Sequence, residues 1–163
     1  MLFKRKVSVN EYCTTRFDLL FSAEQAERWL EIKRSSPDPV IAAIGAEFYL
    51  KHLRAVHFLL LSMAVRERYA WESDIMMGLD VCSRRYLESH KSTYEGNLAE
   101  LYYQRYRRSN TLPKNRLFET AEFMLDCLCD EKCSQESVLA LQEQLDSACA
   151  SFRADFREIK LIP

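Results

Sequence analysis

The sequence predicts an all-α fold, organised as one domain over residues 1–163 and built as a single bundle of about six or seven helices around a buried central helix. Two observations carry that prediction. Only three glycines and four prolines occur in 163 residues, so the chain lacks the frequent turns of a β-sandwich or β-barrel. Apolar residues also recur at helical spacing through most of the chain, and 48% of its residues are hydrophobic, which is enough for a packed core.

Capping signals near the N-terminus predict the first two helices. Ser8 and Glu11 have the spacing of a capping box and predict a helix over about residues 9–20. The same spacing recurs at Ser22, ahead of the amphipathic stretch AEQAERWLEIKR, and predicts the second helix. The run SSPDP at residues 35–39 then predicts a break, because proline cannot donate a helical hydrogen bond and such clusters of serine, aspartate and proline are typical of loops.

The central helix is predicted over about residues 39–70. Asp38 is a favourable N-cap, and Pro39 suits the first helical turn. A helix that is apolar nearly all round is buried, so the other helices are predicted to pack around this one. On a helical wheel most of its circumference is apolar, and three charged side chains form one stripe about 60° wide, at Glu47, Lys51 and Arg54.

The rest of the chain predicts four more helices. N-cap residues at Ser73, Asn115 and Ser134 mark the starts of three of them. The pair Gly96-Asn97 is expected to break or bend the chain before the remaining helix. These helices are predicted over about residues 74–90, 98–108, 116–130 and 135–157.

The charge pattern limits the partners that the chain can attract. The net charge is −1, so no overall field draws in nucleic acid or an acidic substrate. The balance is uneven, however, at +5 over residues 84–116 and −6 over residues 117–163. Solvated helix faces often differ in the sign of their charge without any functional reason. The alternative is that the chain has one basic and one acidic surface, which attract each other or bind different partners.

The sequence predicts a cytoplasmic protein without a membrane span. Its most apolar run, residues 55–65, is shorter than the roughly 20 residues that cross a bilayer. The first residues lack the apolar stretch of a secretory signal. In such a compartment the six cysteines are expected to be reduced.

The segment CLCDEKC, residues 127–133, holds three of the six cysteines. Its spacing differs from the paired C-x-x-C units of structural zinc sites. Cys129 and Cys133 would share one face of a continuous helix, whereas a helix that ends near Asp130 is expected to separate them. The spacing therefore favours a helix end with free thiols, and we predict no metal and no cofactor. Whether Cys129 and Cys133 are oxidised or metal-bound stays open.

The central helix carries two histidines, His52 and His57. Five residues of separation turn them about 140° apart, so they cannot chelate one ion from one helix. His52 falls on an apolar face of the wheel. It is either a core histidine with a hydrogen-bond partner or a residue that lines an internal ligand pocket.

The segment LYYQRYRR, residues 101–108, is the candidate partner-binding surface. Tyrosine and arginine are enriched at protein–protein hot spots, and the same mixture can stack bases and hold phosphates. The simpler interpretation is that some tyrosines pack inward while the arginines suit a helix C-terminus. The candidate residues are Tyr102, Tyr103, Arg105, Tyr106 and Arg108.

No motif for nucleophilic catalysis or nucleotide binding occurs in the sequence. The function that we favour is a non-enzymatic helical interaction module, such as an adaptor, a chaperone-like binder or a regulatory subunit. Its expected partner is another protein or a second copy of the chain, and nucleic acid is disfavoured. The alternative is a helical bundle, enzymes included, that binds a small molecule or a metal in an internal pocket near His52.

Overall fold

The computed structural model describes residues 4–108 and 115–163, and the all-α class is confirmed. Within these residues, eight helices and one two-stranded sheet form a single buried cluster of apolar side chains. In chain order the elements are β1 (Arg5–Ser8), α1 (Val9–Leu20), α2 (Ala23–Arg34), α3 (Pro39–Ala43), α4 (Ala46–Tyr69), α5 (Ser73–Ser89), α6 (Thr93–Arg108), α7 (Arg116–Leu128), α8 (Gln135–Glu158) and β2 (Ile159–Ile162).

The helix predicted over residues 39–70 is in fact two helices. Asp38 and Pro39 begin α3 as expected, but α3 ends at Ala43 and α4 starts at Ala46. Between them the backbone is extended, with ψ of 135° at Ile44 and 130° at Gly45. Glycine is a weak helix former, and the helical wheel, which considers only the positions of apolar and charged side chains, did not take Gly45 into account. The break adds one helix to the predicted number and leaves α3 as a separate short helix beside α2.

Helix α4 occupies the centre of the bundle, as the wheel predicts. It packs against α6 and α8 and also contacts α1, α2, α5 and α7. Leu53, Leu60 and Leu61 are each no more than 1% exposed. Most apolar side chains of α4 therefore pack inside the fold. Phe48, in the first turn of α4, is an exception at 59% exposed.

Among the described residues, α4 is also the one helix long and apolar enough to cross a membrane by length and composition. Of its most apolar 18-residue window, 61% is buried inside the fold. The core helix of a soluble protein can be equally long and apolar, and it is also mostly buried.

The break predicted at Gly96-Asn97 is absent, because α6 starts at Thr93 and runs through both residues. A Cβ atom at Gly96 would lie 2.8 Å from Leu87 Cδ1, and one at Gly78 would lie 2.4 Å from Val9 Cγ1. These two glycines therefore allow close helix contacts, between α5 and α6 and between α1 and α5. Their role is packing, which overrides their low helix propensity.

A short parallel sheet joins the two ends of the chain, and the sequence did not predict it. Strand β1 pairs with β2 so that Val7 lies opposite Leu161, and both side chains are buried. The backbone N–H of Leu161 donates to the Tyr69 hydroxyl at 2.9 Å, which ties the sheet to the end of α4. Strands of four residues are too short to show a clear period-two pattern.

Candidate functional site

A groove of about 1060 Å³ lies between the α2–α3 segment on one side and α8 on the other. Four of its buried lining side chains are hydrophobic and come from four different helices. They are Ile41 of α3, Tyr49 of α4, Leu125 of α7 and Leu141 of α8. Ile32 of α2 also lines the groove and is 43% exposed, so apolar surface continues from the interior to the rim.

Asp38 fastens the two sides of the groove together. Its Oδ1 accepts from the backbone N–H of Val40 at 2.9 Å, which caps α3. Its Oδ2 accepts a hydrogen bond from Ser137 Oγ at 2.8 Å, and Ser137 lies in the first turn of α8 on the other side of the groove. These hydrogen bonds, the one from Ser137 above all, lower the pKa of Asp38 and favour its ionised form. Ser134, whose Oγ accepts from the Ser137 backbone N–H, caps α8 at the same place.

A buried ammonium group holds α2 to α3. Lys33 is 7% exposed, and its Nζ donates to the backbone oxygen of Ala42 at 2.6 Å. A buried charge is costly without hydrogen bonds, and this bond supplies one. Because Lys33 lines the groove, the contact also fixes the position of the α2–α3 wall.

Exposed charged side chains border the groove. Glu31 belongs to α2 and Glu136 belongs to α8, so carboxylates stand on both long sides. Lys132, in the loop before α8, adds one positive charge. The groove thus combines a mainly apolar interior with one exposed carboxylate on each side, Glu31 and Glu136, which we call its acidic rims.

A second cavity of about 470 Å³ lies between α4, α5 and α6. Phe58, Leu59 and Tyr103 are among its lining residues. Arg66 Nη2 and Asp80 Oδ1, 2.6 Å apart, form an ion pair across it. Its polar lining is already paired in part, and it has less than half the volume of the groove.

Tyr102 is not at the surface, which corrects its assignment as a residue that contacts a partner. It is 1% exposed, and its hydroxyl lies 2.6 Å from His52 Nδ1. Burial raises the pKa of Tyr102 and lowers the pKa of His52, so the neutral forms of both side chains are favoured. The hydroxyl and Nδ1 share one hydrogen bond, whose donor is set by the tautomer of the imidazole. His52 is 6% exposed, and neither the groove nor the second cavity includes it among its lining residues.

The other candidate residues of α6 have mixed surroundings. The Arg105 guanidinium lies 4.4 Å from the centre of the Phe123 ring of α7. Tyr106 is half-buried, with the Arg116 guanidinium 5.3 Å from its ring centre. Of the five candidate residues, Tyr102 is buried, Tyr103 and Tyr106 are half-buried, and Arg105 and Arg108 are exposed.

Arg105→Glu is expected to lower the free energy of unfolding by about 1 kcal/mol. The change removes a cation–π contact and places a carboxylate near the negative face of Phe123. Arg108→Glu is the matched control, since Arg108 is exposed near the same helix end, and should cost within about 0.5 kcal/mol. Urea denaturation of both variants measures the difference. Equal stabilities would show that the contact with Phe123 contributes nothing.

The cysteine segment differs from its prediction in one respect. Helix α7 ends at Leu128, yet Cys129 and Cys133 stay together, with their Sγ atoms 3.4 Å apart. The backbone of Cys129 is extended, with φ −118° and ψ 137°, so the helix does not continue to Cys133. Burial, aided by the neighbouring Cys133 thiol, raises the pKa of Cys129 to about 12. Among the described residues, no group of three or more histidine, cysteine, aspartate or glutamate side chains is placed to hold a metal ion.

Comparisons of this chain with protein-family models, with curated proteins and with solved structures each give no match. The functional proposal therefore rests on the groove. Sequence reasoning identified Asp38 and Ser134 only as helix caps and assigned no role to Ile32 or Ser137. The one available signal was the pair of strong N-caps, which marks two helix starts but not their proximity.

Proposed function

We propose that the chain is a non-enzymatic helical interaction module and that its groove receives an amphipathic helix of a protein partner. The observation that carries this proposal is the combination of a mainly apolar lining with one carboxylate on the α2 side and one on the α8 side of the groove. Helix-in-groove recognition uses such a surface, in which apolar anchors at positions i, i+3 or i+4 and i+7 enter the groove.

The open shape of the groove favours a helix over a small molecule. Pockets for small ligands usually enclose about 300–1000 Å³ and surround most of the ligand. This groove has about 1060 Å³ and is open along the surface between α2–α3 and α8. A helix with its side chains is about 10–12 Å across and presents only one face to such a surface.

The acidic rims define the chemistry of the partner. Glu31 and Glu136 would face the two flanks of a helix lying in the groove. Lysine or arginine beside the apolar stripe would complement them, which speeds association and fixes the register. We therefore assign the groove to a helix with a basic residue on each flank of its apolar face.

The groove is also preorganised. The Asp38–Ser137 and Lys33–Ala42 hydrogen bonds hold its walls before any partner arrives. A preformed surface loses less conformational entropy on binding than a flexible one. Both bonds lie in the lining and leave the apolar side chains of the groove free to contact a partner.

Synthetic helical peptides test the proposal. Two peptides of about 16 residues share the same leucine stripe, and one has lysine flanks while the other has glutamate flanks. Fluorescence anisotropy is expected to show binding of the lysine-flanked peptide, at least about tenfold tighter than the other. The difference should shrink as salt increases. Equal affinities for the two peptides would contradict the role of the acidic rims.

A matched pair of variants locates the binding. Ile32 lines the groove and Leu139 does not, yet each side chain is 43% exposed. Ile32→Lys should weaken the lysine-flanked peptide at least about tenfold, because it removes an apolar contact and repels the flanks. Leu139→Lys adds the same charge elsewhere and should leave the affinity within about twofold. Similar affinities of the two variants would place the peptide outside the groove.

A further inference from the structure

Cys129 and Cys133 form a dithiol whose geometry lies close to that of a disulfide. Their Sγ atoms are 3.4 Å apart, and a disulfide bond of about 2.05 Å requires an approach of roughly 1.3 Å. Both residues lie outside helices, with Cys129 directly after α7 and Cys133 two positions before α8. Side-chain rotation and a small loop adjustment can therefore close the gap without unwinding a helix.

We propose that Cys129 and Cys133 are a reversible redox modification site, whose oxidant is a low-molecular-weight disulfide of the glutathione class. All six cysteines are free thiols in the structure, so this bond would be gained rather than restored. The site is separate from the function proposed for the groove, and its test does not depend on any partner.

The exposure of the two thiols determines which of them reacts first. Cys129 is half-buried and Cys133 is 9% exposed, so Cys129 meets the reagent first. Its thiolate attacks one sulfur of glutathione disulfide, and one glutathione thiolate leaves and takes up the proton. The Cys133 thiolate then attacks Cys129 Sγ and releases the second glutathione. In sum, two protein thiols are oxidised to one disulfide, and one glutathione disulfide is reduced to two glutathione thiols.

The surroundings of Cys129 predict that the disulfide forms slowly and is also reduced slowly. Burial raises the pKa of Cys129 to about 12, and Cys133, Asp38 and Asp126 act in the same direction. The thiolate is therefore scarce at neutral pH, and its amount grows about tenfold per pH unit. The same high pKa makes Cys129 a poor leaving group, so glutathione reduces the disulfide slowly, whereas a dithiol such as dithiothreitol reverses it readily.

Tryptic mapping of the full chain can detect the bond directly. Lys132 lies between the two cysteines, so trypsin places Cys129 in the peptide of residues 117–132 and Cys133 in that of residues 133–153. After incubation with glutathione disulfide at about pH 8.5 and alkylation, mass spectrometry is expected to find these peptides linked. Dithiothreitol should separate them again. Unlinked peptides, or glutathione adducts on single cysteines alone, would overturn the proposal.

Cysteine variants identify the linked pair, because Cys127 and Cys149 lie in the same two peptides. Cys129→Ser and, separately, Cys133→Ala should each abolish the link, whereas Cys127→Ser and Cys149→Ser should retain it. Circular dichroism checks that each variant is folded before the assay. A link that persists without Cys129 or Cys133, or that disappears without Cys127, would assign the bond to other cysteines and refute the proposal.

Discussion

Leu60→Asp is expected to lower the free energy of unfolding by at least about 4 kcal/mol. Leu60 is 1% exposed on α4, so an aspartate there must be either ionised without water or protonated at a cost. For a chain of this size, such a loss corresponds to a thermal midpoint roughly 10 °C lower or more. Calorimetry or thermal circular dichroism measures it. An unchanged midpoint would mean that α4 is not the core of the fold.

His57→Leu is the control on the same helix. His57 is also buried, and its Nδ1–H donates to the Leu53 backbone oxygen at 2.8 Å. Leucine loses that bond, but it has a similar size and carries no charge to desolvate. At neutral pH the change should cost within about 1.5 kcal/mol. A cost as large as that of Leu60→Asp would show that position, rather than charge, determines the penalty.

Acid is expected to destabilise the protein through His57. Complete burial lowers its pKa from the ordinary 6.5 to about 4, and the Leu53 carbonyl opposes this only in part. Between about pH 6.5 and pH 4 the unfolded chain therefore binds one more proton than the folded chain at this residue. This contribution to stability is complete above pH 6.5. It declines by about 1.4 kcal/mol per pH unit, on the order of 3 kcal/mol in total.

Comparison of variants isolates that contribution from the acidic side chains that titrate in the same range. Urea denaturation between about pH 7 and pH 4 should show a flatter pH profile for His57→Leu than for the wild type. Parallel profiles for the wild type and His57→Leu would show that His57 is not held neutral in the folded state.

The bundle could be predicted because its elements are marked locally. Four of the six predicted caps, Ser8, Ser22, Asp38 and Ser134, accept hydrogen bonds from backbone N–H groups of their helices. The other two predictions were wrong: Ser73 is the first residue of α5 rather than its cap, and the Asn115 side chain makes no capping bond. The apolar circumference of α4 likewise follows from the composition of the helix alone. Such signals depend on a few neighbouring residues and need no knowledge of the fold.

Features that depend on distant residues were missed or misplaced. Gly96 was expected to break a helix, but its contact with Leu87 of α5 keeps it within α6. Tyr102 was expected at a surface, but the hydroxyl of this residue meets His52 in the core. The groove requires α2, α3 and α8 to meet through the Asp38–Ser137 bond, between residues 99 positions apart. No local pattern encodes a contact of that separation.

The central claim, that the groove between α2–α3 and α8 is the binding surface, is tested most directly by nuclear magnetic resonance. The isotope-labelled chain is titrated with the lysine-flanked peptide, and amide shifts are followed residue by residue. Shift changes are expected at Ile32, Ser137 and Gln144, which line the groove. Changes centred on Tyr103 in the second cavity, or on Trp71, which is 97% exposed at the α4–α5 turn, would contradict the claim.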